Sequence, residues 1–343
     1  MSATCPPIQI TFAPAWWRAC YGMTFTESLL RDPIARTELD REQRRLLYER
    51  FGDVGLGERD PQPHPAADGA YGHRFMAALW GCEICYLPDQ APAAIALPDA
   101  ADRLAALQLS DFERSPVARQ CLAEAETLGQ RYGVCDGAIN QGGPLNNAVS
   151  VLGEAILAAC VSEPGVARQA LMRMAEACLW VYDNLTRRID GIAASAKRAN
   201  LGLGNCPVCM VSPATYQAVV LPADLWYREH YEALLLHHCG VFHPYREVYK
   251  PLRPEHLDVG WGTDLRLVRQ TYPTTPLSIE IQAKALIGKS RDELDRMVRR
   301  LLADASPIEQ ITHLWVAEAG PDVPDETVRN LVTAPGRLKQ ETT

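Results

Sequence analysis

The feature that most constrains the fold is a rhythm in the second half of the chain, where short apolar runs alternate with longer segments of helical character. Short apolar runs between turn residues are typical of buried strands. They occupy residues 200–208, 232–240, 256–261, 276–281 and 312–320. Residues 291–305, between the last two runs, are predicted to form an amphipathic helix. Strands separated by helices form a parallel sheet, so the sequence predicts an α/β fold, either a closed barrel or an open doubly wound sheet.

The first half of the chain is predicted to be mainly helical. The first fifty residues have a helical pattern that ends with residues 41–52, and a proline-rich loop follows at 53–74. Residues 79–92 contain a strand-like apolar run that ends in a proline-bounded turn. Two long amphipathic helices are predicted at 144–160 and 166–188, because their apolar residues recur at a spacing of three to four.

Composition and charge disfavour several classes of protein. The 343 residues carry a net charge of −8, whereas nucleic acids and anionic membranes select basic surfaces. No apolar run approaches the roughly 20 residues that a membrane span needs, so we expect neither a nucleic-acid nor a membrane partner. Met1–Ile10 lacks the features of a secretory signal, and we therefore expect a cytoplasmic protein whose eleven cysteines are free thiols. The absence of a GxGxxG or P-loop motif disfavours nucleotide binding.

Several segments, in order, resemble the superfamily of uroporphyrinogen decarboxylases and corrinoid-linked methyltransferases. Residues 14–25 (PAWWRACYGMTF) resemble its N-terminal P-x-W motif, and residues 88–92 (PDQAP) resemble a segment with an acidic residue after the first barrel strands. Residues 142–154 (GGPLNNAVSVLGE) resemble its GPxTxAxxLxG helix start. Residues 209–222 (CMVSPATYQAVVLP) resemble its LSPxxYxEFVxP segment, and residues 234–240 (LLLHHCG) resemble its HxCG strand end.

This resemblance, which covers most of the chain, implies a (β/α)8 TIM-type barrel with an N-terminal helical extension. It implies one barrel domain over residues 1–343, with residues 1–75 packed against it as helices and loop. Such barrels carry their catalytic groups at the carboxyl ends of the strands. We therefore expect the strand-end residues, among them Asn205 and His237, to lie near that face.

Two departures from the family patterns affect the expected function. The decarboxylases bind substrate carboxylates with arginines after the P-x-W motif, but the corresponding positions here are Ala19 and Met23. The methyltransferases hold zinc with a His-x-Cys pair and a later cysteine. His237 and Cys239 match the pair, whereas the position of the later cysteine falls on Pro321, which cannot bind a metal.

His237 and Cys239 are the strongest candidates for a metal site. Alternate residues of a strand share a face, so both side chains can point to one place while His238 points to the opposite face. Thiolate and imidazole ligands suit Zn²⁺. The candidates for a third ligand, all near the same strand ends, are His243, Cys206 and Cys209. An active-site role without a metal, and packing alone, are the alternatives for this pair.

Other candidate site residues are acids, aromatic side chains and amides. Glu280 and Glu318 end predicted strands, where a carboxylate can act as a general base or support a metal ligand. Asp258 lies inside its strand and is interpreted as a structural partner. Asn205 stands where the decarboxylases have an aspartate. The remaining candidates are Asp89 and Arg18 for proton transfer, and Asn205, Trp17, Tyr21 and Gln282 for substrate contact.

These observations favour a methyltransferase-like enzyme that acts on a small molecule through a zinc-activated thiol. The resemblance implies a corrinoid or folate methyl donor, supplied by a partner such as a methyl-carrier protein. One alternative is a metal-independent decarboxylase or lyase of the same fold, in which Asp89, Arg18 and a strand-end acid handle the proton. A second is a non-catalytic ligand-binding barrel. A homodimer is compatible with all three.

We expect no catalytic decarboxylation of uroporphyrinogen, because Ala19 and Met23 cannot supply the cations that a polycarboxylate substrate needs. The measurement is coproporphyrinogen formation by the purified protein, with an authentic decarboxylase as positive control. Coproporphyrinogen formed at a catalytic rate would contradict this interpretation of the N-terminal segment.

Overall fold

The computed structural model of the protein describes residues 5–99, 102–104, 108–109, 112–139 and 142–341. The chain divides into two compact units. The sheet unit comprises Met1–Thr24, Gly202–Cys209 and Ala233–Thr343. The helical unit comprises Phe25–Leu201 and Met210–Glu232. A single barrel domain over the whole chain stays a prediction.

The strands of the described residues fall into two sheets. They are β1 (Ile8–Phe12), β2 (Glu83–Cys85), β3 (Ala93–Ile95), β4 (Arg198–Gly204), β5 (Tyr231–His238), β6 (His256–Val259), β7 (Leu277–Ile281) and β8 (Ile311–Ala319). Six of them form a parallel sheet in the order β1–β8–β7–β6–β5–β4. The short strands β2 and β3 pair separately and antiparallel in the helical unit.

The helices are divided between the two units. In chain order, the helices of the described residues include α1 (Pro14–Tyr21), α2 (Glu27–Arg31), α3 (Pro33–Phe51), α4 (Phe75–Leu79), α5 (Pro116–Tyr132), α6 (Pro144–Leu152), α7 (Ala155–Ser162), α8 (Pro164–Val181), α9 (Arg187–Ile189), α10 (Pro213–Thr215), α11 (Leu221–Arg228), α12 (Leu265–Thr271), α13 (Arg291–Asp304) and α14 (Asp325–Glu341). The sheet unit contains α1 and α12 to α14, which follow β1, β6, β7 and β8 along the chain, as expected for βα units.

The central strands have one buried apolar face and one polar face. In β5, Leu234 and Leu236 are buried, whereas His237 is only partly buried. The register pairs His237 with Asp258 on β6, and Asp258 with Ser278 on β7. Residues paired across neighbouring strands lie side by side on the same face. The polar side chains of β5, β6 and β7 therefore share one surface of the sheet.

Most of the predicted elements of the second half are confirmed. The five apolar runs form β4 to β8, and the helix predicted at 291–305 is α13, which begins with a capping box between Ser290 and Glu293. The closed eight-stranded barrel is not confirmed, because the sheet of the described residues has six strands with β1 and β4 at its edges. The helical prediction for the first fifty residues is wrong at Ile8–Phe12, which forms β1. Its sequence IQITF alternates buried apolar and exposed polar residues, as a strand requires.

The long helix predicted at 144–160 is broken into α6 and α7, which meet at an angle of 115°. Gly153 at the break has a positive φ of +64°, a backbone conformation that ends α6 and favours glycine. The helix predicted at 166–188 is confirmed as α8, which continues through a π-helical turn (Tyr182–Thr186) into α9. The sequence patterns did not identify α5.

Within the described residues, no single helix combines the length and apolar character needed to cross a membrane. Only α6 and α7 taken together, across their bend, satisfy that combination.

Arg269 on α12 is a buried guanidinium that joins separate segments of the sheet unit. It donates hydrogen bonds of 2.6 to 3.1 Å to the carbonyl oxygens of Ala305, Tyr272, Thr275 and Gln310. We expect Arg269→Ala to lower the free energy of unfolding by about 3 kcal/mol or more, because several buried acceptors lose a charged donor. Chemical denaturation followed by circular dichroism measures the change.

The matched control is Arg300→Ala on α13. The Arg300 side chain is 83% exposed, so its removal should change the free energy of unfolding by less than about 0.5 kcal/mol. Equal stabilities of the two variants would show that the Arg269 hydrogen bonds do not stabilise the fold.

Candidate metal centre

Three potential metal ligands converge at the carboxyl ends of β4 and β5. The ligand atoms of Cys206, His237 and Cys239 all lie within 4.8 Å of one another. The Sγ atoms of Cys206 and Cys239 are 3.0 Å apart, and His237 Nε2 is 3.0 Å from Cys239 Sγ. All three residues are partly buried. The described residues contain no other group of three His, Cys, Asp or Glu side chains with this geometry.

The arrangement of β4 beside β5 explains why these residues meet. His237 and Cys239 are two positions apart at the end of β5, so their side chains leave the chain on the same side. The backbone N–H of Asn205 donates to the His237 carbonyl oxygen at 2.8 Å, which fixes the end of β4 against β5. Cys206 follows directly, where a 3-10 turn begins. A thiol is thereby placed next to the His-x-Cys pair.

Asp258 orients the imidazole of His237. Its Oδ2 accepts a hydrogen bond from His237 Nδ1 at 2.8 Å, and its Oδ1 accepts one from the indole Nε1 of Trp315 at 2.7 Å. With Nδ1 held by the carboxylate, Nε2 faces the two sulfur atoms and can bind a metal once its proton has left. A carboxylate behind a histidine in this way is the usual support of a metal-binding imidazole.

The protonation of the cluster follows from burial and from these contacts. Burial lowers the pKa of His237, but the hydrogen bond to Asp258 and the negative charge at Cys206 outweigh it and raise the pKa to about 10. The hydrogen bond to Cys206, together with burial, raises the pKa of the Cys239 thiol above its ordinary value. Metal ligands must be deprotonated, so binding of a metal here releases protons.

The other two candidates for the third ligand lie outside the cluster. His243 Nδ1 accepts a hydrogen bond from the backbone N–H of Asp264 at 3.1 Å. Cys209 is exposed, and its thiol is 3.2 Å from the carbonyl oxygen of Cys206. Of the three candidates, the structure brings only Cys206 to the His237 and Cys239 side chains.

His238 lies on the opposite face of β5, among aromatic side chains. Its Nδ1 is 2.8 Å from the hydroxyl of Tyr249, and the rings of Phe242 and Tyr245 are 5.6 and 4.9 Å away between centroids. Burial lowers the pKa of His238 to about 4, so the ring is neutral at pH 7. It has no access to the cluster.

The two strand-end acids differ in position. Glu280 on β7 is half-buried, and burial raises the pKa of its carboxyl above the ordinary value. Glu318 on β8 is exposed, and its backbone N–H donates to the hydroxyl of Thr11. Gln282 follows β7 at the start of a 3-10 turn and is half-buried. The negative charge of Glu280 acts on the Cys239 thiol, and His237 and Cys206 act on the Glu280 carboxyl in turn.

The candidates from the N-terminal segment lie on α1. Trp17 is buried. Its ring packs edge-on against Trp16 at 4.9 Å and in a tilted arrangement against Tyr21 at 5.7 Å between centroids. Arg18 is exposed. Asp89 belongs to the helical unit. The aromatic residues therefore pack against one another within the sheet unit.

The sequence predicted Asp258 as a structural partner, but neither its contact with His237 nor the role of Trp315 could be predicted from the sequence. The only available signal was one acidic residue inside the apolar run HLDVGW, and a charge in such a position is more often a structural partner. The contact of Asp258 with His237 depends on the register between β5 and β6, and a local sequence pattern cannot predict that register.

The helical unit contains a wide groove of about 1320 Å³. It is lined by side chains of both charges, among them His64, Arg119, Cys135 and Asp190. Among the described residues of this groove, no three potential metal ligands converge. Despite its volume, the groove is therefore a weaker candidate for a functional site than the cluster in the sheet unit.

Comparison with known proteins identifies the fold and not the family. No family model matches the sequence, and no curated protein matches it significantly. Among solved structures, the chain is similar to a methyltransferase from Methanosarcina mazei, with a TM-score of 0.63 over 98% of this chain and 95% of that chain. The sequence identity is 15%, so the likeness shows a shared fold alone.

We expect Asp258→Asn to weaken metal binding by about ten- to one hundred-fold, because an amide holds the Nδ1 proton of His237 less strongly than a carboxylate does. Competition with a chromophoric chelator measures the affinity, and metal analysis at saturation should still give the parent stoichiometry. Asp292→Asn, which removes the same charge from an exposed position of α13, is the matched control. An unchanged affinity in Asp258→Asn would rule out the supporting role.

Proposed function

We propose that this chain is a methyltransferase-like enzyme that binds Zn²⁺ through Cys206, His237 and Cys239 and transfers a methyl group to the thiol of a small molecule. The convergence of these three ligand atoms at the carboxyl ends of parallel strands carries the proposal. Catalytic zinc sites have three protein ligands and one open position. Parallel α/β sheets place their reacting groups at this end of the strands.

The donor set fits zinc. Two thiolates and one imidazole are ligands that Zn²⁺ prefers. Tetrahedral bonds of about 2.0 to 2.3 Å place ligand atoms about 3.3 to 3.8 Å apart. The separations of 3.0 Å between the two sulfur atoms and between His237 Nε2 and Cys239 Sγ need to widen by less than about 1 Å. Side-chain rotation alone can supply that change.

Bound zinc would keep a substrate thiol deprotonated near neutral pH. The thiol proton would leave to solvent first, the sulfur would then bond to the methyl carbon, and the donor would keep the electron pair of the bond that breaks. Asp258 keeps Nε2 of His237 directed at the site throughout. From the family resemblance of the sequence, we infer a corrinoid or folate methyl donor brought by a methyl-carrier partner.

We expect Cys239→Ser and Cys206→Ser each to abolish stoichiometric zinc binding, because two remaining protein ligands are too few for a tight site. Elemental analysis of protein purified without chelator measures the zinc content. Methyl transfer to a thiol acceptor should fall with it.

Cys209→Ser is the matched control, since Cys209 has an exposed thiol three positions from Cys206. We expect it to keep full zinc content, as should His238→Ala, whose side chain lies on the other face of β5. Full zinc in Cys206→Ser would refute the ligand set. A parent protein that contains no metal and still converts a substrate would instead support the alternative of a metal-independent decarboxylase or lyase.

A further inference from the structure

The sulfur atoms of Cys206 and Cys239 are close enough to react with each other. They are 3.0 Å apart, and the Cys239 thiol donates a hydrogen bond to the sulfur of Cys206. Both residues are free cysteines. The two sulfur atoms of a disulfide are about 2.0 Å apart, so these two must approach each other by about 1 Å to form the bond. A small rotation of the side chains is enough for that approach.

The backbone holds the two cysteines at a spacing that suits a disulfide. In parallel strands an N–H bonds to the carbonyl of the residue before its partner, so the bond from Asn205 to the His237 carbonyl places Asn205 beside His238. Asn205 and His238 are both fully buried, as expected for a common face. Cys206 and Cys239 are one residue further along each chain. Neighbouring strands lie about 4.8 Å apart, and the Cα atoms of disulfides lie about 4.4 to 6.8 Å apart.

The two cysteines are also open to a small oxidant. Cys206 and Cys239 are partly exposed, whereas Cys121 and Cys178 are among the buried cysteines. Oxidation of a cysteine depends on its exposure and on thiolate character, and redox-sensitive cysteines are often placed next to a second thiol that completes a disulfide. The pair between β4 and β5 has that arrangement.

The spacing along the chain indicates a different pair. Cys206 and Cys209 form a CxxC motif, a pattern that is redox-active in other proteins. Here the Cys209 thiol is 3.2 Å from the carbonyl oxygen of Cys206, and the residue is exposed. The sulfur of Cys206 instead contacts the sulfur of Cys239. The fold therefore favours a bond between the strands over a bond within the motif.

On the basis of the metal site in the proposed function, we propose that Cys206 and Cys239 form a reversible disulfide when the protein meets a peroxide, and that this bond and the bound metal exclude each other. The disulfide removes two of the three ligands, and the imidazole of His237 alone is too little for a tight zinc site. The site would then have a reduced state that binds metal and an oxidised state that does not.

Hydrogen peroxide balances the oxidation. The thiolate of one cysteine attacks a peroxide oxygen, the O–O bond breaks, and hydroxide leaves with the electron pair, which gives a sulfenic acid. The sulfur of the second cysteine then attacks the sulfenic sulfur, the S–O bond breaks, and the oxygen leaves as water. Together the two thiols lose two electrons and two protons, and the peroxide becomes two molecules of water. A small dithiol reverses the change by thiol–disulfide exchange and is itself oxidised to a disulfide.

The test is oxidation of the zinc-loaded full-length protein with equimolar hydrogen peroxide, followed by alkylation of the remaining thiols, trypsin digestion and mass spectrometry. Trypsin leaves Cys206 and Cys209 together in residues 199–228, and Cys239 in residues 229–246. A bond between the strands therefore links two peptides, whereas a bond within the CxxC motif stays inside one. We expect the linked peptides, with zinc released in proportion to them as measured by a chromophoric chelator. Dithiothreitol should separate the peptides and restore zinc binding.

Cys209→Ser is the matched control. It should give the linked peptides and release zinc to the same extent as the parent protein, which would also identify Cys206 as the linked cysteine of residues 199–228. Cys206→Ser should give no linked peptides under the same oxidation, because its remaining thiol in that peptide, Cys209, is turned outward.

Two results would overturn the inference while the metal site stands. One is a zinc-loaded protein that peroxide oxidises only to cysteine acids or to a bond within the CxxC motif. The other is a protein with linked peptides that keeps its full zinc content. Failure of the proposed function is distinguishable, because a parent protein that binds no zinc but still forms the linked peptides would refute the zinc site and confirm the disulfide.

Discussion

The hydrogen bond between His237 and Asp258 is the interaction on which the candidate site depends. The two side chains are largely shielded from solvent, with 19% of the His237 surface and 16% of the Asp258 surface exposed. Loss of the hydrogen bond would therefore leave a charged side chain with little hydration. The carboxylate also accepts from Trp315 on β8. One acid thereby connects three strands and fixes which nitrogen of His237 faces the cysteines.

That contact in turn depends on the register of β5 against β6. A shift by one residue would exchange the faces of the two adjacent histidines. His238 would then meet the acids, and His237 would enter the aromatic surroundings of Tyr249 and Phe242. The present register is reinforced on both faces, because His238 bonds to the Tyr249 hydroxyl while His237 bonds to Asp258. The apolar core and the polar site therefore specify the same alignment.

The sequence could predict the strands and the pair of ligands, but not the geometry that unites them. Apolar runs and an i, i+2 spacing are local patterns, so β4 to β8 and the common side of His237 and Cys239 follow from them. The strand at Ile8–Phe12 was not predicted, because five residues are too few to show an alternating pattern that distinguishes a strand from the helix that follows it. The choice between Cys206 and Cys209 depends on the 3-10 turn between them, which turns the second thiol outward.

The source of the third ligand has a physical consequence for the site. The resemblance placed it after β8, where this chain has Pro321, and β8 is three strands from β5 in the sheet. At about 4.8 Å per strand, a ligand from that position must cross about 14 Å and can reach the pair only if the sheet curves strongly. Cys206 follows β4, the immediate neighbour of β5. The candidate centre is thus held by two adjacent strands and one backbone hydrogen bond from Asn205, and its ligand geometry does not depend on closure of a barrel.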